Sequence, residues 1–270
     1  MKYYLLPLLI LPALALTLLP DPSPAPAPIA IGGPENVPTL GNGETLDAAP
    51  LAVLELFTSQ GCSSCPPADN LLRELNERSL AGENIVALSY HVDYWNYLGW
   101  KDPYSSAYYS ARQKDYTERI GARTYTPQLV VNGSEEMIGS RRGAVQLAVE
   151  NALENARQSF PPTLMTNVRN GKITAAYTLD AETFKGRRVT ALLAQNLAES
   201  SVKRGENRGK ELQHHNVVRV MKHAAAAAAG SFELTVPEGL TTNEVTVVLL
   251  VQNTTTHAIV GAARSVVSAR

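Results

Sequence analysis

Leu51-Ala52-Val53-Leu54-Glu55-Leu56-Phe57 leads through Thr58-Ser59-Gln60-Gly61 into Cys62-Ser63-Ser64-Cys65-Pro66-Pro67, after which Ala68, Leu71, Leu72 and Leu75 recur at helical spacing. The apolar run reads as a buried strand, and proline in the first turn starts a helix. Both cysteines of the 270-residue chain therefore stand at one strand-to-helix junction, two residues between them. There the helix N–H groups and macrodipole favour an anion, so Cys62 is expected as the exposed, attacking thiolate. Cys65, one turn in, is expected to resolve the mixed disulfide that Cys62 forms.

Working outward, strand and helix patterns alternate. Residues 67–80 read as a helix, 84–91 as an apolar strand and 105–120 as a second helix. Residues 128–131 are a third strand, turned by Asn132-Gly133 into a fourth. Ser140 is expected to cap a helix ending near Gln158. The order β-α-β-α-β-β-α suits an α/β domain with a mixed sheet over residues 50–160. Phe160-Pro161-Pro162 breaks the pattern. Residues 163–270 then hold about seven short strand-like runs with turns between them, which reads as a separate β-sandwich domain. Ala224 to Ala229, six alanines in a row, receives no function.

Residues 1–20 carry one lysine and then a Leu-rich run without charge, a secretory signal or an uncleaved N-terminal anchor. Residues 21–49 are a Pro-rich linker of extended polyproline II bias. Export to the periplasm or beyond follows, an oxidising setting in which a close cysteine pair is often found joined. With 24 Lys+Arg against 25 Asp+Glu the net charge is -1, which argues against nucleic acid or an anionic membrane surface as main partner.

The first domain resembles the thioredoxin fold. The matches are the strand–Cys-x-x-Cys–helix unit, Thr124-Tyr125-Thr126-Pro127 directly before a strand, and the hairpin and helix that follow. The stretch of residues 55–69 and the later His91-Val92-Asp93-Tyr94-Trp95-Asn96 and His215-Asn216-Val217-Val218-Arg219 resemble an uncharacterised family of secreted bacterial thioredoxin-like proteins. That likeness implies a cis-proline at Pro127 packed against the disulfide, with Thr126 offering backbone to a substrate strand. It also implies thiol–disulfide exchange with thiol or disulfide proteins and no organic cofactor. Glu55, the nearest carboxylate upstream, is either the acid that moves protons during exchange or a rim or salt-bridge residue. Ser63-Ser64 leaves the direction of electron flow open.

Closing so small a ring stabilises a fold by only about 2 kcal/mol, so the spacing favours redox use over a structural staple. The alternative is a binding module with an inert disulfide, or a copper or zinc site made by Cys62, Cys65 and His91. His214, His215, His223 and His257 show no ligand spacing and read as structural. Eight of the 11 tyrosines and both tryptophans fall between Tyr90 and Tyr125. Tyr104 and Tyr108 fit the inner face of a helix. Tyr94 and Trp95 stand in a loop after the second strand, and such rigid amphipathic rings suit partner recognition.

Overall fold

The computed structural model describes residues 51–156, 158–180 and 184–267. The expected N-terminal segment and linker lie outside the described residues. Among those described, no helix is long and apolar enough to cross a membrane.

Strand β1 (Ala52–Thr58) is buried along its whole length and feeds helix α1 (Pro66–Leu80) through the cysteine loop. Strand β2 (Ile85–His91) returns parallel to β1. Helix α2 (Ala107–Ile120) is N-capped by the Ser106 side chain, and strands β3 (Gln128–Val131) and β4 (Glu135–Ile138) form the expected hairpin. Asn132 and Gly133 turn that hairpin with φ of 47° and 67°. Helix α3 (Arg142–Asn155) follows, but its N-cap is Arg141, without a side-chain cap bond, and not Ser140. The Thr126–Pro127 peptide is cis, as the motif before β3 implied.

The second half departs from the expected separate sandwich. Its strands are β5 (Pro162–Arg169), β6 (Lys172–Leu179), β7 (Arg187–Ser201), β8 (Glu211–Ala225), β9 (Ala229–Thr235), β10 (Val245–Asn253) and β11 (Ile259–Val266). Four of them extend the first sheet into one of eight strands, ordered β11-β10-β7-β8-β2-β1-β3-β4. The join is parallel, where Ser89 of β2 meets Val217 of β8. Only β5, β6 and β9 form a second, antiparallel sheet of three. The boundary expected at residues 160–163 therefore does not divide two sheets. The large sheet is mixed, with helices packed on its first half and the small sheet layered on its second.

Three cores hold these layers. Leu54, Leu56, Leu71, Leu72, Leu75 and Val149 pack α1 and α3 on one face of β1. On the other face Phe57, Tyr90, Tyr109 and Tyr116 meet Leu192, Val248 and Leu250, so one core spans both halves of the chain. Leu164, Ile173, Tyr177 and Leu234 of the small sheet pack on Leu193, Val247 and Leu249. A β-carbon added at Gly261 would strike the Phe160 carbonyl, so the chain entering β5 lies directly against β11.

Candidate functional site

Cys62 and Cys65 are joined as a disulfide, with Cα atoms 5.5 Å apart. Cys65 itself is the N-cap of α1. Its carbonyl accepts the N–H groups of Ala68 (2.8 Å) and Asp69 (3.1 Å), while Pro66 and Pro67 have no N–H to give. The helix start therefore keeps no unpaired donor for a Cys62 thiolate, contrary to expectation. The macrodipole still favours an anion there, and the Ser64 hydroxyl, 3.3 Å from Cys62 Sγ, donates to it. Ser63 and Ser64 are exposed, yet both cysteines are 0% exposed. The expected exposed Cys62 is thus covered.

The cover is the turn between β7 and β8. Val202 N–H bonds Lys210 O and Gly209 N–H bonds Val202 O, closing a hairpin tip whose Gly205 lies against Gly61 and Trp100. Asn207, fully buried, donates its side-chain amide to Gln60 O (3.0 Å) and Cys62 O (2.8 Å). The Glu206 carboxylate accepts the Ser63 N–H at 2.9 Å, and bonds from the Ser63 hydroxyl and then from that N–H hold its pKa below the ordinary carboxylate value. Lys210 holds Asn207 in place through its Oδ1 at 2.9 Å. On the other side Trp100 donates to Gln60 Oε1 (2.9 Å) and Trp95 to Thr126 Oγ1 (2.7 Å). A β-carbon at Gly61 would lie 3.1 Å from that of Trp95, so the Trp95 backbone and Cβ pack tightly on this glycine. Trp95 therefore lies against the cysteine loop and bonds Thr126, and Tyr94 donates to Gln113 (3.1 Å) and bonds Thr126 as well. Burial pushes the Tyr94 hydroxyl up to about 12.

Glu55 is not beside the cysteines. It alternates with Leu54 and Leu56, which face α1, and so projects to the opposite side of the sheet toward α2. There Arg112 grips it with two bonds of 2.8 and 3.0 Å, and Tyr116 donates its hydroxyl to the same carboxylate. Of its two expected roles the salt-bridge one holds. Arg112 lies over the rings of Tyr90 (5.6 Å) and Tyr116 (5.0 Å). Burial lowers the Arg112 pKa, but the Glu55 charge outweighs it and raises it well above the ordinary value.

The ionisable groups on the cysteine side are others, and the spacing of the sequence did not mark them. Asp69, one turn after Cys65 on α1, is buried and lies 3.6 Å from His214 Nδ1 of β8. The His214 ring meets the His91 ring edge to face, with centroids 4.5 Å apart. His91 Nδ1 is 2.7 Å from Asp102 Oδ2, which also accepts the Gln60 N–H at 2.9 Å. His214, read from sequence as structural, thus joins a four-residue cluster that reaches from the turn after Cys65 to the loop before Cys62. His91 does not join the cysteines in a metal set. Among the described residues no three His, Cys, Asp or Glu side chains stand together as metal ligands.

Burial opposes charge on His214, but Asp69 and Asp102 outweigh it and hold its pKa above the ordinary 6.5. Burial likewise raises Asp102, yet the charge of His91 and the N–H groups of Gln60 and Tyr104 bring it below 3.8. A raised histidine stabilises the fold while protonated, fully so below its unfolded value, and that stabilisation is lost as pH rises through the folded value. A lowered carboxylate contributes above its unfolded value and loses the contribution as pH falls through the folded one. Melting temperature is therefore expected to fall as pH rises from about 6.5, the ordinary histidine value. His214→Gln should flatten that limb and leave the acid limb. An unchanged alkaline limb in a pH series of thermal melts would refute the assignment.

The chain aligns with the crystal structure of a protein from Agrobacterium tumefaciens at 27% identity and a TM-score of 0.62, covering 82% of this chain and 96% of that one. A DUF3823 family protein from Bacteroides ovatus overlaps 39% of this chain and 50% of its own at 17% identity, with a TM-score of 0.22, too low to relate the folds. No curated protein matches the sequence. The model of the family described as protein of unknown function (DUF1223) matches residues 53–252, which take in the cysteine loop, the histidine cluster and the covering hairpin, and the chain belongs to that family.

Proposed function

We propose that the protein is an exported, thioredoxin-like thiol–disulfide oxidoreductase that works through Cys62 and Cys65 without a bound organic cofactor. The observation that carries this reading is a disulfide closed within one turn at a strand-to-helix junction and covered by a hairpin tip fastened to the loop by side-chain hydrogen bonds of Glu206 and Asn207. So short a ring does little for stability, and a staple joining distant segments would do more. The cover is polar and hydrogen-bonded, so it can part from the motif without exposing a large apolar surface. The partners are other thiol or disulfide proteins of the periplasm or exterior, and Thr126 and Trp95 at the rim of the motif would meet them.

The full burial of both sulfurs favours a second reading, an inert disulfide in a binding module. The reduction potential separates the two. The full-length protein is equilibrated in graded thiol buffers and its free thiols are counted by alkylation and mass. An exchanging pair is expected to reduce at a potential above about -250 mV, whereas a structural disulfide resists below about -300 mV. The second result would overturn the oxidoreductase reading.

A further inference from the structure

Cys65 is 0% exposed and cannot trade its proton directly with bulk water. Around it the cluster leaves His214 Nε2 and His91 Nε2 buried without a hydrogen-bond partner, while Asp69 Oδ1 and His214 Nδ1 face each other at 3.6 Å, too long for a hydrogen bond. Native proteins leave few such atoms, and their concentration in one place calls for a chemical explanation. Asp69 follows Cys65 by four residues on the same helix, so their side chains are neighbours on one face, with Cβ atoms about 5–6 Å apart. Asp69 also lines a cleft of about 530 Å³ between α1 and the β7–β8 hairpin, with Pro66, Glu199 and Glu211, which gives the pair a route to solvent.

We propose that the Asp69–His214 pair takes the proton of the Cys65 thiol when the disulfide closes and returns it when the disulfide opens. The proposal rests on the oxidoreductase reading above. In the closing direction a partner disulfide has already formed a mixed disulfide with Cys62. Cys65 gives its proton to the pair, and its thiolate attacks the Cys62 sulfur. The Cys62–Cys65 bond forms as the bond from Cys62 to the partner sulfur breaks, and the partner leaves as a thiolate with that electron pair. Cys65 is oxidised and the partner sulfur reduced, while the proton passes from the pair through the cleft to water. The reverse sequence opens the disulfide. His214 acts through Asp69, and His91 with Asp102 fixes the His214 ring, so these three are positioning residues. Ionisable groups facing the pair are His91 of β2, Asp102 and Tyr104 of the β2–α2 connection, His215 of β8, and Glu199 and Glu211 across the cleft.

The test uses the reduced full-length protein and a chromogenic nitrobenzoate disulfide. Cys62 releases the first coloured thiolate and Cys65 releases the second when the ring closes. Both rates are followed from about pH 5 to about pH 9, a range spanning the ordinary histidine and thiol values. For the wild type the second release should rise at a pH below the ordinary thiol range. Asp69→Asn should slow it about tenfold at neutral pH, a modest general-base effect, and move its rise toward about 8.5, with the first release unaltered. Asp69→Glu should restore part of the rate. Second-release profiles of wild type and Asp69→Asn that superimpose, with both proteins folded by circular dichroism, would overturn the relay alone. Absence of the first release from the wild type would overturn the exchange reading, and the relay with it.

Discussion

Asn207→Ala is expected to speed reduction of the Cys62–Cys65 disulfide in a thiol buffer by about 10- to 100-fold, because it unlatches the hairpin tip at the cost of two buried bonds of about 1 kcal/mol or more each. The Asn207 amide reaches Gln60 O and Cys62 O together, and both carbonyls lie in the loop that carries the attacking cysteine. Alanine leaves those carbonyls without their donor while the tip is seated. Once the tip lifts, water satisfies them, so the substitution penalises the covered state and leaves the open one unharmed. Reduction by a small thiol needs the open state, and its rate follows the population of that state. Glu206→Gln should have a smaller effect, since its bond to the Ser63 N–H is exposed to solvent. Global melting, followed in parallel, distinguishes local opening from a loosened fold. An unaltered reduction rate in a folded Asn207→Ala protein would show that the hairpin does not control access.

This cover also explains why the motif reads so differently in sequence and in space. The strand, the cysteine loop and α1 are written locally, in an apolar run, a pair of prolines and a 3.6-residue period, and so they were legible. Asn207 is 145 residues from Cys62, in Lys203-Arg204-Gly205-Glu206-Asn207-Arg208-Gly209, which has the composition of any exposed turn. His214 and Asp69 likewise meet only because β8 lies beside β2, and nothing in their spacing announces it. The same pairing undid the expected sandwich. The signal for it was present in Val189 to Ala194 and in Val245 to Val251. Apart from Thr190 and Thr246 both runs are apolar at consecutive positions, the pattern of strands buried on both faces, whereas Lys172–Leu179 alternates as a strand with one wet face does. Strand β5 starts where Pro161-Pro162 reads as a breaker. Pro162 is in fact its first residue, where a strand tolerates proline.

Arg112→Met is expected to destabilise the protein by about 3–5 kcal/mol, because it strands the Glu55 carboxylate in the core without its cation. Glu55 is 0% exposed, and Arg112 supplies both of its charged bonds. Tyr116 would remain, but one hydroxyl donor does not replace a guanidinium fork. That hydroxyl also accepts from Arg112 (2.8 Å) and from Gln252 of β10 (2.9 Å), so the network ties β1 and α2 to the second half of the sheet. Its loss should therefore appear as one lowered, still cooperative transition in chemical denaturation. Replacing both charges, as Glu55→Leu with Arg112→Met, removes the desolvation cost together with the pairing and should recover much of the stability. Glu55→Gln separates structure from chemistry. It breaks the ion pair on the far side of the sheet from α1, so it should lower stability while leaving the pH profile of ring closure by Cys65 where it is in the wild type. A shift of that profile by Glu55→Gln would return Glu55 to the proton path and remove Asp69 from it.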